Sequence, residues 1–420
     1  MSKKSVVFGS ILRKFKDDPA RFRRILKAGM GLETLRRKKF SDKNRPAFIN
    51  TINHLAVLEV FKALKGNNVA WVNLLAPSEL LLATGMSPVS AEGISGTMSS
   101  MHLEDLPLSL ASSNGISSSL CTFHRTSIGT AFWKVFPKPD IVVTTTILCD
   151  GNAGSFYKIA KSYGAPFFLI DVPRGRKPEY VPYVERQLYQ LIELIEEITA
   201  RKFPFDKLAQ HLEWEKQTVE NLYRARKLLI SKSIPMHLYE QMNALYVMHT
   251  LAGTKELLTA SQELIRDLEA SQTSPDIRLL WLHIPPYYDN ALFETFSPTG
   301  KTWVVTDELW WDWLYPVRPE DPIKSLAEKL VFNIEAGSVQ ERGEFLINLA
   351  RELNVSGAIH FSHWGCRQSS GGAGYLKSVF SQEKIPFLEL TGDCVDHNSE
   401  SAGQLKTRVS AFLEILGVKE

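Results

Sequence analysis

The stretch from Ser356 to Leu416 constrains the fold most strongly, because it has the pattern of two short apolar strands, each followed by a helix. Cys366 follows the first strand, GAIHFSHWG, and Cys394 follows the second, FLELTGD. In a parallel β-α-β-α unit the carboxyl ends of the strands meet at one edge of the sheet, and ligands bind there. The pattern therefore predicts two thiols on one edge of one parallel sheet.

The first half of the chain repeats this pattern. The apolar run DIVVTTTILCDG predicts a strand with Cys149 at its carboxyl end, and a helix and the strand APFFLIDVPRG follow it. Another buried strand is predicted over Val69–Leu75, and Pro77, Ser78 and Glu79 have the pattern of a helix start. Alternating strands and helices of this kind predict an α/β fold with a parallel sheet.

A length of 420 residues is too great for one ordinary core and favours two or three units. The residues between the two α/β patterns are almost wholly helical in period, with prolines separating the helices. We therefore predict an α/β fold of two parallel-sheet lobes with a helical segment between them. The predicted domains are a basic helical arm at 1–48, a first α/β domain at 49–180, a helical connecting region at 181–274 and a second α/β domain at 275–420.

Composition places the chain among ordinary globular proteins, since 44% of the residues are hydrophobic and 23% are charged. No apolar run is long enough for a membrane span, and the N-terminus lacks the pattern of a secretory signal. The four cysteines are far apart, with no CxxC pair. These features predict a cytoplasmic protein with free thiols, and they give little support to a zinc ribbon or a thioredoxin-like site.

Charge is uneven along the chain. Residues 1–46 carry 15 Lys or Arg against 4 Asp or Glu, a net charge of +11, which leaves −8 for the remainder. Such an arm can bind nucleic acid, an anionic membrane or a phosphate-bearing ligand. The apolar residues of the arm recur at roughly helical spacing, however, so we favour an amphipathic helix that docks on the body or on a partner subunit, and we predict no nucleic-acid partner.

Cysteine placement is the main indication of function. Cys149, Cys366 and Cys394 follow apolar strands, and Cys121 precedes a predicted helix, whereas structural cysteines usually lie within strands or helices. Soft thiolates from two facing lobes favour an iron–sulfur cluster or zinc. Structural zinc usually draws on close cysteine pairs, so the cluster is favoured, and unrelated free thiols remain the alternative.

Other residues give weaker indications. Asp307 and Glu308 follow a predicted strand beside three tryptophans. Adjacent carboxylates near aromatics can do acid or base chemistry, but a surface turn with a tryptophan-rich lid over the cleft between the lobes fits the pattern equally well. The histidines of the helical region, His211, His237 and His249, are interpreted as ordinary core or surface residues.

Five segments taken together, in order and spacing, resemble the 2-hydroxyacyl-CoA dehydratase and benzoyl-CoA reductase subunit family. They are APSELLLATGMSP, ILCDG, VTDELWWDWL, FSHWGCRQ and GDCVDHNSESAGQLKTRVSAFLEIL, and the resemblance covers most of residues 50–420. It implies two flavodoxin-like lobes that hold a [4Fe-4S] cluster through three cysteines, which correspond here to Cys121, Cys149 and Cys366. The basic arm lies outside it.

The resemblance also implies a reaction. In this family an ATP-hydrolysing activator protein injects one low-potential electron into a heterodimer of two related subunits. The electron reaches the thioester carbonyl of a 2-hydroxyacyl-CoA and gives a ketyl radical, from which hydroxide leaves. The expected partners are thus a second dehydratase subunit, the activator and the acyl-CoA substrate, and the expected enzyme is a lyase of anaerobic metabolism.

Two questions stay open at the level of sequence. A fourth thiolate from Cys394 would close the cluster and leave it only electron transfer, whereas three ligands leave one iron open for substrate. Ser78 and Glu79 are candidates for hydrogen bonds to substrate, and His363 and Arg367 flank a ligand cysteine, but each also fits a supporting or capping role. The alternative functions are a benzoyl-CoA-reductase-like subunit of an ATP-coupled reductase and a non-catalytic α/β scaffold protein.

Overall fold

The structure is a computed structural model that describes residues 3–272, 274–288, 290–297, 300, 302–399 and 402–418. The described residues form eight strands and 17 α-helices. The strands are β1 (Val69–Val72), β2 (Ser87–Ser90), β3 (Ile141–Thr145), β4 (Phe167–Ile170), β5 (Ile277–Leu282), β6 (Thr302–Asp307), β7 (Gly357–His363) and β8 (Phe387–Gly392). The helices are α1 (Lys3–Arg13), α2 (Pro19–Lys39), α3 (Ala47–Lys65), α4 (Ser78–Ala83), α5 (Ala91–Ser100), α6 (Asp105–Ser113), α7 (Thr122–Trp133), α8 (Gly151–Tyr163), α9 (Val181–Thr199), α10 (Phe205–Leu228), α11 (Leu238–Thr250), α12 (Lys255–Ala270), α13 (Ala291–Thr295), α14 (Pro322–Val331), α15 (Val339–Glu352), α16 (Arg367–Gln382) and α17 (Ala402–Ile415).

The strands form two parallel sheets with the same topology. The first has the order β2-β1-β3-β4 and the second the order β6-β5-β7-β8. Each sheet thus follows the flavodoxin-like order 2-1-3-4, in which ligands bind at the carboxyl ends of the first and third strands, where the strand order reverses. The predicted α/β fold with two flavodoxin-like lobes is confirmed.

The first sheet has packed cores on both of its faces, as expected for strands with apolar residues at successive positions. Ala70 and Val72 of β1 point into a core shared with α9 and α14. Trp71, between them, points into a core on the other face. This follows from the period of two in a strand, and a central parallel strand buried on both faces has no polar side.

The basic arm docks on the body as two helices. Leu12 of α1 and Phe22 and Leu26 of α2 are fully buried in the same core as Trp71. Arg13 forms an ion pair with Asp105, with an N–O distance of 2.7 Å. The arm therefore buries the apolar stripe that its sequence spacing predicts and covers one face of the first sheet.

The two lobes exchange helices. Helix α3 precedes the first sheet in the chain, yet its Phe48 and Ile52 lie in the core of the second sheet, where the helix packs on α11 and α12. Helix α14 follows the second sheet's β6 but packs on α9, in the core of the first sheet. The predicted domain boundaries stay a prediction. Among the described residues, no helix is long and apolar enough to cross a membrane.

Polar contacts join the lobes close to their facing edges. The Thr122 hydroxyl, at the start of α7, donates to Asp393 at 2.7 Å, and the Ser99 hydroxyl donates to the Val395 carbonyl at 2.6 Å. The buried carboxylate of Glu104 accepts from the backbone and ring N–H groups of His397. These contacts hold the loops that follow β8 against the first lobe.

Candidate functional site

The four cysteines lie in the loops that follow parallel strands or begin helices. Cys121 caps the start of α7, Cys366 caps the start of α16, and Cys149 lies in the loop between β3 and α8. Cys394 follows β8, and all four thiols are free. The facing edges of the two sheets therefore carry the thiols, as the positions of the strand ends predict.

Three of these thiols converge from the two lobes. The turn that contains Cys366 lies against Cys121, because a Cβ on Gly365 would be 2.9 Å from the Cα of Cys121. Burial raises the pKa of Cys121 well above its usual value, and the charges of Cys366 and Cys149 raise it further. Burial and then the charge of Cys366 raise the pKa of Cys149 to about 11. Each thiolate thus opposes the ionisation of the others unless a cation lies among them.

Two histidines contact the converging thiols. His124 of α7 places its Nε2 3.3 Å from the sulfur of Cys149. His283, directly after β5, places its Nε2 3.7 Å from the sulfur of Cys366. The backbone N–H of Ser369 also donates to the Cys366 sulfur, at 3.4 Å. The sequence reasoning missed both histidines, although His124 is three residues after Cys121 and His283 ends a clear apolar run.

Cys394 is near this group, but its sulfur has another partner. The side chain is fully buried, and its S–H donates to the carbonyl of Ile284 at 3.1 Å. Burial raises the pKa of Cys394 well above its usual value, and the charges of Asp393 and then of Cys366 and Cys121 add to this effect. Its backbone N–H donates to His363 Nδ1 at 3.0 Å. These contacts are typical of a neutral structural thiol.

His363 supports the loop after β8. Its Nε2 lies 3.5 Å from the hydroxyl of Thr122, and its ring packs edge-on against Phe123. Burial lowers the pKa of His363, so that the ring is neutral at pH 7. Arg367, on the other side of Cys366, is largely exposed and lies 4.0 Å from Asp150.

Ser78 and Glu79 lie at the start of α4, which follows β1. Both side chains are almost fully buried. Glu79 and Glu215 of α10 both form ion pairs with Lys329 of α14. Burial raises the pKa of Glu215 to about 8. Burial by itself would lower the pKa of Lys329, but the charges of Glu215 and Glu79 outweigh that effect and raise it. Glu79 therefore takes part in a buried ion triad that joins three helices.

We expect Lys329→Ala to lower the free energy of unfolding by about 3–5 kcal/mol, because it leaves two carboxylates buried without their cation. Chemical denaturation under anaerobic conditions measures this loss. Lys202→Ala, which removes an exposed ion pair with Glu196, is the control and should change stability little. Equal effects of the two variants would show that the triad does not stabilise the fold.

The adjacent acids at the end of β6 also have structural partners. Asp307 accepts the backbone N–H of Leu309, and Glu308 accepts the backbone N–H of His283 at 2.7 Å. Glu308 also forms a buried ion pair with Arg342 of α15. The three tryptophans are buried in the largest core, so a surface turn with a tryptophan lid is wrong. The indole N–H of Trp310 donates to the Gln241 carbonyl of α11, and that of Trp311 donates to the Thr306 hydroxyl of β6.

A carboxyl group that the sequence reasoning missed lies on the first-lobe side of the site. Glu92, in the first turn of α5, accepts a hydrogen bond from the Ser90 hydroxyl at 2.7 Å. Burial raises the pKa of Glu92. Its charge in turn raises the pKa of Cys149 and of Tyr287, although Glu92 does not line the cavity beside Cys149 described below. The only sequence pattern that could have indicated this carboxyl group is a serine at a strand end, Ser90, followed two residues later by Glu92.

A cavity of about 570 Å³ opens onto Cys149 from outside. Its wall includes Cys149 and His124 from the first lobe and Gly365 from the second. Lys158 and Arg367 also line it. The cavity therefore combines access to the Cys149 thiol with cationic groups suited to phosphate.

The donor set fits an iron–sulfur cluster better than structural zinc. Three soft sulfur donors converge from both lobes, and the fourth sulfur is engaged with a carbonyl. Structural zinc sites are normally closed by four ligands. Cys121, Cys149 and Cys366 are therefore the residues that would hold a cluster.

Comparison with known proteins agrees with this geometry. The family model described as 2-hydroxyglutaryl-CoA dehydratase, D-component, matches residues 73–416. The chain is 22% identical over 407 residues to the (R)-phenyllactyl-CoA dehydratase alpha subunit of Clostridium sporogenes, covering 92% of this chain and 98% of the relative. It is 20% identical over 394 residues to the lactoyl-CoA dehydratase subunit alpha of Anaerotignum propionicum, covering 84% and 91%.

A third relative is the (R)-2-hydroxyglutaryl-CoA dehydratase, subunit alpha, of Acidaminococcus fermentans. The chain is 24% identical to it over 298 residues, which cover 67% of this chain and 61% of the relative. The resemblance found in the sequence motifs is confirmed, since the family match includes all four cysteines and every strand of both sheets except β1. The chain belongs to the 2-hydroxyglutaryl-CoA dehydratase D-component family.

Proposed function

We propose that the chain is the iron–sulfur subunit of a reductively activated 2-hydroxyacyl-CoA dehydratase. The observation that carries the proposal is the approach of three cysteines from two lobes: the turn before Cys366 lies against Cys121, and His124, three residues after Cys121, contacts the Cys149 sulfur. Family membership and relatives that are named as alpha subunits of such dehydratases support it. The proposed partners are a related second subunit and an ATP-hydrolysing activator protein that delivers one electron.

Cys121, Cys149 and Cys366 would hold a [4Fe-4S] cluster as thiolates, and this group would supply one-electron chemistry when bound. Cys394 is proposed to remain a neutral thiol, because its S–H donates to the Ile284 carbonyl. This arrangement favours a catalytic subunit over one that only relays electrons.

The protein's own groups provide binding and proton transfer. Lys158 and Arg367 line the cavity beside Cys149 and can pair with the phosphates of coenzyme A. Glu92 is proposed as the acid or base that exchanges a proton with the substrate, because burial holds its pKa above the usual range. The buried surroundings keep water from the radical that forms at the thioester carbonyl.

The proposed reaction is the loss of water from a 2-hydroxyacyl-CoA through a ketyl radical. We expect the chain, combined anaerobically with its partner subunit, the activator, ATP and a reductant, to convert at least one of a panel of 2-hydroxyacyl-CoA esters into the enoyl-CoA. Mass spectrometry of the thioesters checks this. Reduction of an aromatic acyl-CoA without dehydration would favour a benzoyl-CoA-reductase-like enzyme. Inactivity toward every ester in a cluster-loaded complex would contradict the proposal.

A further inference from the structure

We infer that His124 and His283, one from each lobe, donate ring N–H hydrogen bonds to the sulfurs of Cys149 and Cys366 and thereby set the reduction potential of the centre. The inference rests on the proposed cluster. His124 and His283 neither ligate the cluster nor bind substrate in this proposal. Because one lies in each lobe, the reduction potential of the cluster depends on both lobes.

The contact distances support the inference. The His124 Nε2 lies 3.3 Å from the Cys149 sulfur, and the His283 Nε2 lies 3.7 Å from the Cys366 sulfur. A thiolate bound to a metal carries no proton, so the ring nitrogen must be the donor. Gly151 keeps the first contact clear, because a Cβ there would be 3.0 Å from His124 Nε2 and 3.3 Å from the Cys149 sulfur.

His283 is held in place by a buried network of charges. Its φ angle is +69°, in the left-handed region that non-glycine residues rarely adopt. The backbone N–H donates to Glu308 at 2.7 Å, and Arg342 holds Glu308 through a buried ion pair. A strained residue persists only where its surroundings determine its conformation, and such residues cluster at functional sites. The result here is a ring directed at a ligand sulfur.

The two rings have a common electrostatic effect. A reduced cluster carries one more negative charge, part of which resides on the cysteine sulfurs. Hydrogen bonds to those sulfurs stabilise the reduced state and raise the reduction potential. A donor at each lobe eases the uptake of one electron without adding a formal charge to the site.

The test compares His124→Leu and His283→Leu with His360→Leu in cluster-loaded protein. His360 is a buried histidine of β7 whose ring nitrogens have no hydrogen-bond partner among the described residues, and it contacts no ligand sulfur. In redox titrations followed by electron paramagnetic resonance, His124→Leu and His283→Leu should each lower the equilibrium constant for one-electron reduction of the cluster at least tenfold. This corresponds to a reduction potential that is more negative by about 59 mV or more. His360→Leu should leave the potential unchanged.

His283→Gln, which can retain an N–H donor, should shift the potential less than His283→Leu. If His124→Leu and His283→Leu keep the wild-type potential, the inference is overturned while the proposed function stands. If the wild type binds no cluster, the proposed function itself fails.

A measurement on the wild type covers the case in which a variant does not assemble its cluster. Protein labelled with 15N only in histidine is reduced, and pulsed electron paramagnetic resonance detects nitrogen coupled to the cluster spin. Backbone donors such as Ser369 carry 14N in this sample and do not interfere. We expect 15N coupling from the histidine rings, and its absence would refute the hydrogen bonds.

Discussion

Alanine at Cys121, Cys149 or Cys366 is expected to reduce iron and acid-labile sulfide to well below one cluster per chain, whereas alanine at Cys394 should leave both unchanged. The turn before Cys366 lies against Cys121, and the charge of Cys366 raises the pKa of both Cys121 and Cys149. The Cys394 sulfur donates to the Ile284 carbonyl instead. Iron and sulfide analysis after anaerobic reconstitution measures the difference.

Cys394→Ala is also the matched control, because it removes a fully buried thiol close to the same loops. Circular dichroism and gel filtration should show that all four variants remain folded. Retention of a full cluster by Cys366→Ala would show that a ligand is misassigned. Loss of the cluster in folded Cys394→Ala would make Cys394 a fourth ligand and would favour electron transfer over catalysis.

Glu92→Gln is expected to lower the turnover of the reconstituted dehydratase by about 10²–10⁴-fold, the usual contribution of a general acid or base. Glutamine has nearly the same shape and can still accept from the Ser90 hydroxyl, but it cannot exchange a proton. Iron content should be that of the wild type, because Glu92 affects Cys149 only through its charge. Turnover at saturating substrate, normalised to iron, checks the prediction.

Glu59→Gln is the matched control for this variant. Glu59 is also a buried carboxyl group, and burial raises its pKa to about 8, but its partner is the Thr250 hydroxyl and no thiol contributes to the shift. We expect its turnover to be that of the wild type. An equal loss of turnover in both variants would mean that Glu92 acts through stability alone.

The sequence was sufficient to predict most strands of both sheets and the positions of the cysteines that follow them, because both depend on local periodicity, but it did not predict β2. Apolar runs predict β3 and β7, and the cysteines that follow them reach the facing edges without any knowledge of distant contacts. The topology then requires the carboxyl ends of parallel strands to share an edge.

The residues that support the thiols could not be predicted in this way. His124 and His283 meet their sulfurs across 25 and 83 positions of the chain, and the contact between Glu308 and His283 depends on the pairing of β5 with β6. The pattern of Asp307 and Glu308 beside tryptophans fits both acid or base chemistry near aromatics and a surface turn with a tryptophan-rich lid. Composition alone does not distinguish an exposed aromatic run from a buried one.

The core into which α3 and α14 pack could not be predicted from local sequence patterns either. Helices α3 and α14 have amphipathic sequences that require a core, but nothing in their period specifies which of two cores. The first half of α3 packs in the core of the second lobe while its end, at Ala63 and Leu64, lies in the core of the first, and α14 packs in the core of the first lobe. Such long-range choices depend on the shape of both lobes together.

The central claim is that three thiols from two lobes hold one iron–sulfur cluster. Its most direct test is iron and acid-labile sulfide analysis of the wild-type chain after anaerobic reconstitution, combined with Mössbauer spectroscopy. We expect one [4Fe-4S] cluster per chain. Iron well below that amount in folded protein, or stoichiometric zinc in its place, would contradict it.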